Sequence, residues 1–205
     1  MMKCVASGVV ALIAGVAQAQ VQFTEWSYQG VNGEIIEITN TSGAPLNMAG
    51  WSYDDDSRLP GVLDLSGFGV LAAGESAIIT DVLASDFRTA WGLSASVKII
   101  GGNTANLGRN DEVNLFNGTT LIDRLTFGDQ NIPGSIRTQN RSGITLPANW
   151  GANNVLGWFF STAGDAYGSY TSTGGDVGSP GLAVPTPGAL ALMGVAGLIA
   201  SRRRR

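Results

Sequence analysis

Short apolar-polar alternations, cut every few residues by Gly, Asn, Asp or Pro, run through this chain from about residue 20 to residue 181, and that rhythm is the pattern of an antiparallel β protein. Side chains of a strand point alternately to its two faces, so Val21 and Phe23 separate from Gln22 and Thr24, and Ile36 and Ile38 from Glu37 and Thr39. Further strands are predicted at 76–80, 97–100 and 135–138. The segments 112–116 and 119–127 flank Asn117-Gly118, a pair suited to the two positive φ angles of a type I′ turn, and so predict a hairpin. Helical periodicity is nearly absent; only 83–91 could form a turn or two of helix. The 29 glycines, 14% charged and 44% hydrophobic residues fit strands joined by tight turns better than a helical bundle or a disordered chain. The glycine-dense stretch 165–181 is expected to be a terminal loop or linker.

Both ends read as addresses. Residues 1–19 place Lys3 before an apolar run and finish in Ala17-Gln18-Ala19, the layout of a cleaved signal peptide. The C-terminus reads VPTPGALALMGVAGLIASRRRR. Its uncharged run, 188–200, would span about 20 Å as a helix, short of the roughly 30 Å hydrocarbon layer. Arg202, Arg203, Arg204 and Arg205 would hold that end on the cytoplasmic side, leaving the domain outside. With both ends set aside, the seven Lys and Arg of 20–184 face all sixteen Asp and Glu, a net charge of −9. Such a surface repels polyanions, and no nucleic-acid partner is expected.

The chain has no histidine, and its one cysteine, Cys4, lies in the signal segment. That excludes Ser-His-Asp triads, His- or Cys-ligated zinc and thiol chemistry from the mature domain, and no cofactor is expected. Asp54, Asp55 and Asp56, with Asp64 nearby, form the densest acidic group and the weak candidates for calcium; an acidic turn simply in contact with solvent is the plainer reading. Catalysis by carboxylates alone would need a pair drawn from residues such as Glu25, Glu34, Glu37, Asp111 and Glu112, each of which reads as a strand-edge or solvent-face residue. No enzyme is expected. The five tryptophans, with Tyr28, Tyr53, Tyr167 and Tyr170, either pack the core or offer a stacking surface for sugars. The N-x-S/T triplets at Asn40, Asn117 and Asn140 read as turn chemistry.

The stretch 33–55, GEIIEITNTSGAPLNMAGWSYDD, resembles the lamin tail domain, an immunoglobulin-like sandwich found in nuclear lamins and in many exported bacterial proteins. An E-x-I-E-I-x-N strand (Glu34 to Asn40), a small or Pro turn (Gly43 to Pro45) and a closing Gly50-Trp51 carry the likeness. Leu71 to Ser76, the 112–127 hairpin, Ser135 to Arg137, Trp150 and a closing Gly178-Ser-Pro-Gly follow in the family's order, whereas 81–109 does not align. The resemblance implies an all-β fold: a single immunoglobulin-like antiparallel β-sandwich over 20–181, between an N-terminal signal helix and a C-terminal hydrophobic helix. The tail, 184–205, resembles the PEP-CTERM sorting signal, with Val184, Pro185, Thr186 and Pro187 as its motif and Thr186 where an acidic residue is usual. That likeness implies processing by an exosortase-type membrane peptidase and delivery to the cell surface or the medium. The expected role is a non-enzymatic envelope or matrix module with exopolysaccharide or envelope proteins as partners; the alternative is a carbohydrate-binding or carbohydrate-cleaving protein.

Overall fold

The computed structural model describes residues 20–182; the expected signal segment 1–19 and the sorting tail 184–205 lie outside the described residues. Two sheets pack face to face. The larger holds β1 (Val21–Ser27), β2 (Ile35–Asn40), β7 (Ser76–Ile79), β8 (Lys98–Ile100), β11 (Gly143–Thr145) and β12 (Trp158–Phe160) in the order β12-β11-β1-β2-β7-β8. The smaller holds β4 (Trp51–Asp54), β5 (Leu63–Asp64), β9 (Asn110–Asn117) and β10 (Thr120–Gly128) in the order β10-β9-β4-β5. Two ribbons complete the set, β3 (Leu46–Asn47) with β6 (Val70–Leu71) and β13 (Tyr170–Thr171) with β14 (Val177–Gly178).

Ile36, Ile38, Ala77 and Ile79 from the larger sheet meet Trp51, Tyr53, Val113, Leu115 and Leu125 from the smaller, all buried in one core. Trp26 lies against Phe127 with ring centroids 3.9 Å apart. The period-2 pattern alone does not put Trp26 on the same face as Val21 and Phe23. A β-bulge between Phe23 and Glu25, opposite Ile38 and Glu37, inserts the extra residue that shifts the face. A second bulge interrupts β10 between Leu121 and Asp123. Asp123 just beyond it reaches the first bulge, where its Oδ2 accepts from the Phe23 amide at 2.8 Å.

The expected strands in 21–26, 34–39, 76–80, 97–100 and the 112–127 hairpin are present, and α1 (Ala84–Ala90) occupies the helical stretch. Four expectations need correction. The sheets are not wholly antiparallel, because β8 runs parallel to β7 through pairs such as Ile78 with Ile99. A parallel neighbour requires a crossover, which α1 supplies and which accounts for the unfamiliar stretch 81–109. The hairpin loop is Gly118-Thr119, since Asn117 pairs with Thr120; only Gly118 has positive φ, at 57°, the pattern of a type II′ rather than a type I′ turn. Residues 135–138 are not a strand: side-chain bonds replace the ladder, Ser27 Oγ donating to the Thr138 carbonyl and the Tyr28 amide to Thr138 Oγ1.

Residues 165–181 are packed structure, not a linker, and 168–181 is therefore not a flexible spacer before the tail. Tyr170 stands edge-on to Trp91 at 5.5 Å and donates its hydroxyl to the Trp91 carbonyl. Asp176 accepts from the Val31 and Asn32 amides, holding the β1–β2 connection. The larger sheet is therefore covered on its outer face as well, with Ile35 and Ile78 buried under Phe87 and Trp91.

Candidate functional site

One end of the sandwich carries a pocket of about 300 Å³, formed by the turn after β1 (Tyr28, Gln29, Gly30), Glu34 before β2, Asp81 after β7, and Asn106 to Arg109 ahead of β9. Glu34 is only 4% exposed. Its Oε1 accepts from the Leu107 amide at 2.8 Å, while its buried Oε2 has no hydrogen-bond partner. Burial first, and the neighbouring Asp81 charge second, push its carboxyl up to about 8. The Glu34 amide donates to Asp81 Oδ1 at 2.8 Å. Gly33 permits that approach: its φ is +96°, and a Cβ there would stand 2.8 Å from Thr80 Oγ1 and 2.9 Å from Asp81 Oδ1. Arg109, the cation lining the pocket, is already committed to Asp129, with Nε 2.7 Å from Oδ1. Tyr53 has a fully buried hydroxyl without a partner; burial, then Glu34 and nearby aspartates, hold its pKa well above the usual phenol range.

The calcium candidates do not converge. Asp54 is buried and folds its own loop, Oδ1 accepting from Ser57 Oγ and Oδ2 from the Leu59 amide. Asp56 is exposed, and Asp64, on β5, accepts from the Ser66 amide and hydroxyl. Among the described residues no group of three acidic side chains is placed to hold a metal ion. The same loop carries Arg58, at φ +59°, which forks onto Glu112 through Nε and Nη2 at 2.7 and 2.8 Å. Burial raises the Glu112 carboxyl, but Arg58, Asn114 and Arg124 more than offset it and bring it below the usual carboxylate range.

Glu25 and Glu37, expected on a strand edge or a solvent face, are instead buried side by side. They pair across β1 and β2, each 1% exposed, on the outer face that the C-terminal segment covers. Glu37 accepts from Thr24 Oγ1 and the Gly181 amide, both at 2.7 Å. Glu25 accepts from the Ser179 amide at 2.7 Å, the Ser179 hydroxyl at 2.9 Å, and the Ser142 hydroxyl. Burial pushes both carboxyls up, Glu37 to about 8 with Glu25 as the second cause. Burial thus favours the protonated form of Glu37, and the bonds that the two carboxyls accept from Ser179 and Gly181 clasp the chain end to the sheet. Strand alternation marks Glu37 as outward-facing, and the bulge after Phe23 turns Glu25 to the same side; no local signal shows that residues more than 140 positions later cover them.

The aromatic residues do not form a sugar platform. All five tryptophans are buried, as are Tyr28 and Tyr53. Tyr170 is tied to Trp91, which leaves Tyr167 partly exposed beside Phe159. No pattern in the sequence joins the pocket residues Gln29, Asn106 and Leu107; only the fold brings them together. Asn40, the last residue of the E-x-I-E-I-x-N pattern, is a structural tie rather than a surface turn residue: its Nδ2 donates to the carbonyls of Ala44, Leu71 and Ala72.

Two facing sheets with a shared core define an immunoglobulin-like sandwich. The family model described as Lamin Tail Domain matches residues 15–129, more than half of the chain, and the chain belongs to that family. Neither the curated proteins nor the solved structures gave a match. The matched range ends just after β10, so β11, β12 and the β13–β14 clasp lie beyond it.

Proposed function

We propose that this chain is a non-enzymatic module of the bacterial cell envelope or extracellular matrix, exported, sorted by an exosortase-type peptidase, and structural or adhesive in role. The sequence of 184–205 carries the reading: a Val184-Pro185-Thr186-Pro187 motif, a short uncharged run, and four terminal arginines. The signal-like segment 1–19 supports export. A non-enzymatic role is supported by the state of the acidic residues, since Glu25 and Glu37 lie under the chain end with no access to a substrate. The domain closes at Gly181, which leaves Val184 only three residues beyond the clasp.

Fractionation of the native host with intact-mass measurement tests the reading. The expected mature species begins at Gln20, lacks Arg202 to Arg205 and is recovered from the outer envelope or the medium. Replacing Pro185 or Pro187 by Ala should trap the precursor in the inner membrane. A native protein held in the inner membrane with its arginines intact would leave a simple anchor as the better account.

A further inference from the structure

We propose that residues 177–182 form a strap that must lift off the larger sheet before the tail can be cut, so that the folded domain itself limits the rate of sorting. The inference rests on the sorting reading of 184–205 given above and adds a control that acts before any bond is broken. The chain enters the strap through β14, where the Val177 amide donates to the Asn140 carbonyl at 3.1 Å and the Ser142 amide donates to the Val177 carbonyl at 2.8 Å. It then crosses the outer face of β1 and β2. Gly178 permits that crossing, since a Cβ there would stand 2.7 Å from Glu25 Oε1 and 3.2 Å from Ile35 Cδ1. Ser179 reaches both oxygens of Glu25, and the Gly181 amide donates to Glu37 Oε2. The Leu182 amide then turns back to the Ser179 carbonyl at 3.0 Å.

Val184 follows Gly181 by three residues, a reach of about 10 Å when fully extended. A cleft that recognises a short chain segment takes it as an extended strand with walls on both sides. A folded domain of this length has a radius of gyration of about 15 Å, so with the strap closed its body stands where the near wall of such a cleft has to go. Lifting 177–182, which also unpairs β14 from β13, frees the chain back to Thr171 and adds roughly 35 Å of reach. The strap is built to lift while the core stays shut. Its buried residues are Gly178, Ser179 and Pro180, none of them a large apolar side chain, and Leu182 at its end is 44% exposed. Its hold on the sheet is a short set of hydrogen bonds, the kind of local contact that opens ahead of global unfolding.

The test is a pulse-chase of the full-length chain in its native host, following loss of the arginine-bearing end. A flexible Gly-Ser spacer inserted between Leu182 and Ala183 should speed conversion by roughly tenfold or more, because the rate is no longer scaled by the fraction of chains with an open strap. Gly178→Val, which wedges the strap away from Glu25, should approach the same rate, and adding it to the spacer-bearing chain should bring no further gain. Hydrogen exchange at the Ser179 and Gly181 amides of the unaltered full-length chain should be faster than in β9, a measurement that reads the strap even if Gly178→Val does not fold. Equal conversion of the unaltered, spacer and Gly178→Val chains would overturn the strap and leave the sorting reading standing. So would a gain from the spacer with none from a folded Gly178→Val, which would make the limit one of length alone, or exchange at Ser179 and Gly181 as slow as in β9. A precursor left uncut in every version, spacer included, would overturn the sorting reading and the strap with it.

Discussion

Glu37 faces Glu25 across the β1–β2 ladder, an arrangement that would be repulsive if both were charged. In the unfolded chain Glu37 releases its proton near the ordinary value of 4.5, but in the folded chain it keeps it up to about 8. Between those values the native state binds more protons than the unfolded one. The stability from this group is therefore complete below about 4.5 and is lost as pH rises to about 8, at a slope approaching ~1.4 kcal/mol per pH unit. Glu34 and Glu25 act in the same direction; Asp123, raised by burial to about 6, acts over the lower part of that window. Glu112 and Asp129, whose carboxyls are lowered, have the opposite sign, and their contribution is lost only as pH falls below the ordinary carboxylate range. The melting temperature should accordingly fall between pH 5 and pH 8, and Glu37→Gln should flatten that slope and raise the midpoint at pH 8. A midpoint that climbs across the interval in the unaltered chain would contradict a proton held on Glu37. Asp123 makes a separate prediction: Asp123→Ala leaves the buried Phe23 amide unbonded and should cost about 1–3 kcal/mol in urea unfolding, most of which Asp123→Asn should restore.

At the scale of elements, α1 and the β13–β14 hairpin depend on each other. The Thr173 amide donates to the Ala90 carbonyl at the end of the helix, and Trp91, 2% exposed, packs between Phe87 and Tyr170. Trp91→Ala should cost about 3–5 kcal/mol. It should also speed hydrogen exchange at Thr173 more than in β9 or β10, because the cover loosens while the inner core stays closed. Equal acceleration everywhere would show that the outer layer has no separate stability. The helix itself was legible as Leu83 to Trp91, with Phe87 and Trp91 four residues apart on one face. Its role was not legible, because the parallel pairing of β7 and β8 depends on where the chain goes after the helix.

Over the whole molecule, the family-matched segment is not a self-sufficient unit. Ending the chain at residue 129 would remove β11 and β12 from beside β1, together with Ser179 and Gly181 from Glu25 and Glu37. Fragment 20–129 should therefore lack the cooperative unfolding expected of fragment 20–182 in circular dichroism; matching transitions would disprove it. The local sequence determined the β class, the positions of β1, β2 and β7 to β10, the 112–127 hairpin and the core role of Ile36, Ile38 and Trp51, because alternation and turn residues act within a few positions of the chain. It likewise determined that no histidine or thiol chemistry is available to the domain, a matter of composition. Only the tertiary structure decided which polar face is covered. Glu37 carries the same local pattern as a solvent-facing acid, the bulge turns Glu25 to its side, and the burial of both comes from Ser179 and Gly181, more than 140 residues away. The Glu34 pocket is of the same kind: its walls come from separate loops that the sandwich brings to one end.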